Sequence, residues 1–135
     1  MLDHALESAF LAVLQGNTLV SGTVSFFTGH DSDEHGLPAV TLSSKSEPLA
    51  GSSEVFRSEL SVIVESEAHD NSPDEHAALV EKVRECLANR TEVAARINAG
   101  NSVHIYGYAF AGSTLETDSA RFRTTLTLKV GYGVP

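Results

Sequence analysis

Hydrophobic and polar residues follow two rhythms along this chain, and the switches between them mark out its elements. Leu2, Leu6, Ala9, Phe10 and Val13 recur at three- and four-residue steps, the spacing of one helix face, so a helix is expected over Leu2–Gln15. Gly16-Asn17 suits its end, because both residues tolerate a left-handed backbone. From Thr18 to Gly36 the pattern weakens: Val24-Ser25-Phe26-Phe27 fits a short strand, and His30-Asp31-Ser32-Asp33-Glu34-His35-Gly36 a polar loop. Pro38-Ala39-Val40-Thr41-Leu42 fits another short strand, with proline at its first position or on a sheet edge. Lys45 to Ser53, with Pro48 and Gly51, reads as a second loop.

Val55–Glu65 alternates with a period of two, placing Phe56, Leu60, Val62 and Val64 on one strand face. The next signal is a helix start: Ser72 and Glu75 can cap each other's backbone N–H groups, and Pro73 takes the first helical position, where a missing donor costs nothing. Over Ser72–Asn89 the stripe Val80, Val83, Leu87, flanked by Ala77, Leu79 and Cys86, should face a sheet. Thr91 to Ala99 adds a short helical turn. Val103–Ala111 is a strand with Val103, Ile105, Gly107, Ala109 and Ala111 on one face, and His104, Tyr106, Tyr108 and Phe110 on the other. After a polar loop over Gly112–Ser119, Phe122, Thr124, Leu126, Leu128 and Val130 give the last strand, Arg121–Val130, a core side, and Arg121, Arg123 and Lys129 give it a basic side. The sum is an α+β chain: a single mixed, mostly antiparallel β-sheet packed by two main α-helices, with a projecting hairpin loop.

Length sharpens this to one domain over residues 1–135, since 135 residues is an ordinary single-domain size. With 41% hydrophobic residues and no apolar run near ~18 residues, the chain should be a soluble protein without a membrane partner. Met1 leads into an amphipathic pattern instead of a basic segment and an apolar core, so no secretory signal is read and the cytoplasm is the expected compartment. Cys86 is the only cysteine, which excludes an internal disulfide and a multi-thiolate zinc site and suits a small core residue. The net charge of −9 opposes phosphate, so sequence-specific nucleic-acid binding is disfavoured. Glu65 to His76 carries five acids and no Lys or Arg, whereas Arg121, Arg123 and Lys129 gather near the C-terminus. A solvated face is the commoner reason for such clustering, yet the separation also suits contacts between copies of one chain. The candidate oligomer-interface residues are therefore Arg57, Glu65, Glu67, Asp70, Asp74, Arg121 and Arg123.

Candidate chemistry is sparse. His30, Asp31, Asp33, Glu34 and His35 form the only dense run of metal-ligand types, but consecutive residues of one loop rarely converge on an ion, and the spacing fits neither a helix-borne His pair nor a calcium loop. His69-Asp70 and His76 are weaker still, because acids near a helix start are explained by its dipole. There is no Gly-x-Ser-x-Gly elbow, Cys86 lies on the buried side of a helix, and the glycines at 107, 112, 131 and 133 make no phosphate loop. Asn89-Arg90-Thr91 matches a glycosylation sequon, which is idle without secretion. Tyr106, Tyr108 and Phe110 are either core under a helix or, uncovered, a protein-binding stripe. No catalytic residue, cofactor or metal is expected.

The order of these pieces resembles the tail terminator and tail-completion proteins of long-tailed bacteriophages, which also match in length and acidity. The matching segments are Leu2–Leu14, Pro38-Ala39-Val40, Ser58-Glu59-Leu60-Ser61-Val62-Ile63-Val64, Ser72-Pro73-Asp74-Glu75 and Ala120–Tyr132, nearly the whole chain. The resemblance implies a virion protein at the tail–neck junction: a hexameric homo-oligomer that caps the tail tube, stops its polymerisation and meets neck or head-completion proteins. The tube protein and those neck proteins are its implied partners, and a head–tail joining role is the nearest alternative. The loops that would meet them hold Leu115, Glu116 and Asp118, and His30, Asp31, Asp33, Glu34 and His35. Two readings from other classes are a small metal-dependent hydrolase using His30, Asp31, Asp33 and His35, and a monomeric ligand-binding domain using the Tyr106/Tyr108 face.

Overall fold

The computed structural model describes residues 2–16, 24–28, 38–49, 55–67, 73–100, 103–117 and 121–133. In chain order these form α1 (Leu2–Gln15), β1 (Ser25–Thr28), β2 (Ala39–Pro48), β3 (Val55–Glu67), α2 (Pro73–Ala88), α3 (Arg90–Ala99), β4 (His104–Thr117) and β5 (Arg121–Gly133). One five-stranded sheet runs in the order β1-β2-β3-β5-β4, with β1 parallel to β2 and the other pairs antiparallel. The fold is α+β with a single mixed sheet, as the alternation of the two rhythms implied.

The helices share one face of the sheet. Leu6 and Phe10 of α1, Val80, Val83 and Leu87 of α2, and Val93 and Ile97 of α3 join Val40, Leu42, Leu60, Val62 and Val64 with the inward side of β5, Leu126 to Tyr132, in one buried cluster. β5 pairs with β3 along its whole length, from Val55–Gly133 to Glu67–Arg121, and these two strands are the most buried of the sheet. α2 begins at Pro73, the position expected for proline; the Ser72 cap lies outside the described residues.

Three boundaries differ from expectation by more than three residues or in kind. Strand β2 continues through Lys45 to Pro48, where a loop was expected, because β3 offers a partner for every residue down to Phe56. Its proline is tolerated because β1 ends opposite Leu42, leaving that stretch on an edge. The segment after α2 is a full ten-residue helix, α3, started by Asn89: its Oδ1 accepts from the Glu92 N–H at 3.4 Å, and its Nδ2 donates to the Glu92 carboxylate at 2.9 Å. And the chain does not turn at Gly112. Gly112–Thr117 stay in strand β4, paired with Phe122–Thr127.

Strand β4 also changes face twice. Register shifts between Ile105 and Gly107 and between Phe110 and Gly112 make bulges at Tyr106 and Ala111. Each bulge sets two residues against one and resets the alternation. Tyr108 therefore lies on the helix side with Ile105, not on the opposite face with His104 and Tyr106. It is 6% exposed, meets Phe10 edge-on at 5.4 Å between ring centroids, and donates its hydroxyl to the Leu87 carbonyl at 2.6 Å. Cys86 is half-buried beside it.

Candidate interaction surface

The sheet has two open edges, and the fold treats them differently. Beyond β1, the free edge of β2 is closed by Glu7 of α1, whose Oε2 accepts from both the Ser44 N–H (3.0 Å) and the Ser44 hydroxyl (2.8 Å). Pro48 then removes one donor from that edge. On the far side, α3 covers only the start of β4. The Asn98 side chain accepts from the Ile105 N–H at 2.6 Å and donates to the Ile105 carbonyl at 3.2 Å, pairing with the strand as another strand would. Arg90 donates to the Tyr108 carbonyl at 3.3 Å. Past Tyr108 the strand leaves this cover, and Ala109 to Thr117 are all exposed.

This distal half of β4, backed by β5, forms an arm. Three of the four large exposed hydrophobic residues among those described lie on β4: Tyr106, Phe110 at 37% and Leu115 at 63% exposure. An apolar groove of about 430 Å³ runs between the arm and α2, with Ala77 and Val80 on the helix and Leu115, Thr117 and Phe122 on the strands. Glu81 stands at its rim, while Glu116 projects from the other face of the arm, beside Arg123.

At the groove's floor is a cluster that the sequence did not announce. His76 is 3% exposed; its Nδ1 is 2.9 Å from the Ser66 hydroxyl and its Nε2 2.8 Å from the Thr124 hydroxyl. A neutral imidazole has one N–H and one lone pair, so one hydroxyl accepts from it and the other donates to it. Burial lowers its pKa from the ordinary 6.5, and the ring rests on Phe122 at 5.5 Å. With Ser66 and Thr124 at 2% and 7% exposure, both hydroxyls are committed to this ring, which ties α2 to β3 and β5. The signal available in the sequence was His76 at helical spacing with Val80, Val83 and Leu87.

The face of the sheet away from the helices is charged. Its charges largely pair across strands. Arg121 Nη1 contacts Glu65 Oε2 at 2.7 Å, and Glu65 is 1% exposed although Arg121 is partly open. Arg57 pairs with Glu47, Glu59 sits between Lys45 and Lys129, and Arg123 between Glu65 and Glu116. Glu67 stands opposite Arg121. The acids and bases that are separated in sequence thus meet within one chain, as strand pairing brings Glu65–Glu67 to Arg121–Arg123. A shallow hollow of about 630 Å³ lies over Lys45, Arg57, Glu59 and Lys129.

Of the residues singled out from the sequence, Leu115 and Glu116 lie together on the arm, and Asp74 is exposed in the first turn of α2. Asp70, Asp118 and the run His30, Asp31, Asp33, Glu34 and His35 lie outside the described residues. Among the described residues no three His, Cys, Asp or Glu side chains are grouped to hold a metal, and no helix is long and apolar enough to cross a membrane. No known protein-family model matches the chain, and no curated protein matches its sequence.

Proposed function

We propose that this protein is a structural subunit of a long-tailed bacteriophage, forming a ring that caps the tail tube, ends its growth and offers a surface for the head. The observation that carries the reading is the arm: residues 109–117 of β4 are exposed, whereas among the described residues the edge of β2 is met by Glu7, the start of β4 by Asn98, and Glu65 by Arg121. Such a strand, with Leu115 and Phe110 open to solvent, is suited to contact with another protein. The element order α1-β1-β2-β3-α2-α3-β4-β5 adds the resemblance to tail terminators. Ring closure needs two different surfaces on each copy, and the arm and the charged sheet face are two such different surfaces.

The reading places no catalytic group, cofactor or metal in the protein's work. Its partners are further copies of itself, the tube protein and the neck proteins, and its place is the tail–neck junction. The test is a phage lacking the gene. Tails of uncontrolled length, corrected by the protein supplied in trans, are expected. Tails of normal length left unattached to heads would assign the head–tail joining role, and normal infectious particles would overturn both.

A further inference from the structure

From Phe110 to Thr117 no hydrogen bond among the described residues reaches the outer edge of β4, and the strand holds no Lys, Arg or Pro of the kind that keeps edges from pairing. The opposite edge, by contrast, carries Lys45 and Pro48 and is closed by Glu7. We infer that this stretch of β4 pairs with the same stretch of a second copy, antiparallel about a two-fold axis at Thr114, joining two five-stranded sheets into one.

The register follows from faces and charge. Thr127 of β5 already treats the bulged Ala111-Gly112 as one rung. Counted that way, an axis at Thr114 sets Ser113 against Leu115, Ala111-Gly112 against Glu116, and Phe110 against Thr117. Every such pair lies on a common face: Phe110, Ser113, Leu115 and Thr117 stand beside Leu128, Leu126, Thr124 and Phe122 on the helix side, and Gly112, Thr114 and Glu116 on the other. A one-residue slip would set opposite faces against each other. Two copies of a chain with net charge −9 repel, but Glu116 is the only ionisable group from Ala109 to Thr117, and this register brings it against glycine and not against another acid.

Gly112 supplies a second observation. A Cβ built there would meet no atom of its own chain within 4 Å, so packing within one copy does not call for glycine. The open space over it has room for the Glu116 side chain of a second copy. The backbone phase agrees as well. The groups of Ile105 and Tyr108 that reach Asn98 and Arg90 point outward, and the same alternation turns Ser113 and Leu115 outward. Those two would exchange backbone hydrogen bonds across the axis. Thr114 then faces itself as a non-hydrogen-bonded pair, with Cα atoms about 4.5 Å apart. This pairing goes beyond the ring reading: a two-fold contact closes on itself, so it describes a dimer of the free chain.

The test uses sedimentation and cross-linking of the purified full chain. The unaltered protein should sediment as two chains at micromolar concentration. Thr114→Lys sets two ammonium groups face to face and should raise the dimer dissociation constant at least tenfold, with the circular dichroism spectrum unchanged. Thr114→Cys in a Cys86→Ser background should give a disulfide-linked pair on mild oxidation, since the separation at the axis suits the bond. A monomer at all concentrations overturns the pairing, and so does a dimer that survives Thr114→Lys and yields no cross-link. Six-chain particles with no two-chain species would also overturn it while supporting the ring. Failure of the ring reading in the phage experiment would leave these masses unchanged.

Discussion

His76 shows what one buried titratable side chain does to a small fold. Held neutral between Ser66 and Thr124, it has a pKa below its ordinary 6.5 because burial opposes the charge. In the unfolded chain the ring takes its proton near pH 6.5. The unfolded state therefore binds more protons in the window below that value, and stability falls as pH falls through it. Above the window both states are neutral and the contribution is flat. Inside it, the loss from this one group approaches about 1.4 kcal/mol per pH unit. Urea midpoints of the unaltered protein should drop between about pH 7.5 and 5.5, and His76→Gln, though less stable at the upper pH, should show a smaller drop. Equal drops would put the acid sensitivity elsewhere. The sequence hid this role because a lone histidine after Asp74-Glu75 reads as part of a polar helix start. Only the partners, ten and 48 residues away, identify it. Glu65 was hidden in the same way, since its counterion Arg121 lies 56 residues on.

At the scale of elements, what could be read was what repeats locally. The 3.6-residue period gave α1 and α2, and the two-residue period gave β3 and β5, because each has one face committed to the core. The second half of β4 has no such face: with both sides exposed, it has no hydrophobic alternation to read, and its small polar residues look like a loop. Only the register with β5 makes it a strand. The two bulges defeated the face assignment of Tyr108 for a related reason, since an added residue is invisible to a count of odd and even positions. The start of α3 was legible in principle. Asn89 and Glu92 repeat the spacing of Ser72 and Glu75, although Asn89-Arg90-Thr91 also has the form of a sequon. Removing that cap with Asn89→Ala should cost about 1 kcal/mol in urea denaturation. Amide exchange should quicken first in α3, which loses both side-chain bonds, and then at Ile105, whose edge depends on Asn98 at the other end of the helix. Unchanged exchange across Arg90–Ala99 would show that packing of Val93 and Ile97 alone holds the helix.

For the whole molecule the question is whether the arm serves the fold or a partner. The buried cluster draws on all three helices and on strands β2 to β5, yet from β4 it takes only residues before Ala109. The second half of the strand thus adds backbone pairing to the sheet and little apolar burial, so changes to its outward side chains should cost within about 0.5 kcal/mol if strand propensity is kept. Leu115→Thr, Glu116→Thr and Asp118→Ser together meet that condition for the two strand residues: the β-branched threonines fit the ladder opposite Thr124 and Arg123. The altered chain should fold with an unchanged urea midpoint. Under the proposed function it should fail to complement a phage lacking the gene, because an interface loses most when its exposed apolar anchors go. Tails of uncontrolled length would place the defect at the tube, and normal but headless tails would place it at the neck. Full complementation by a well-folded variant would remove the arm from the working surface and turn attention to the charged face of the sheet, where Lys45, Arg57 and Lys129 surround the hollow over Glu59.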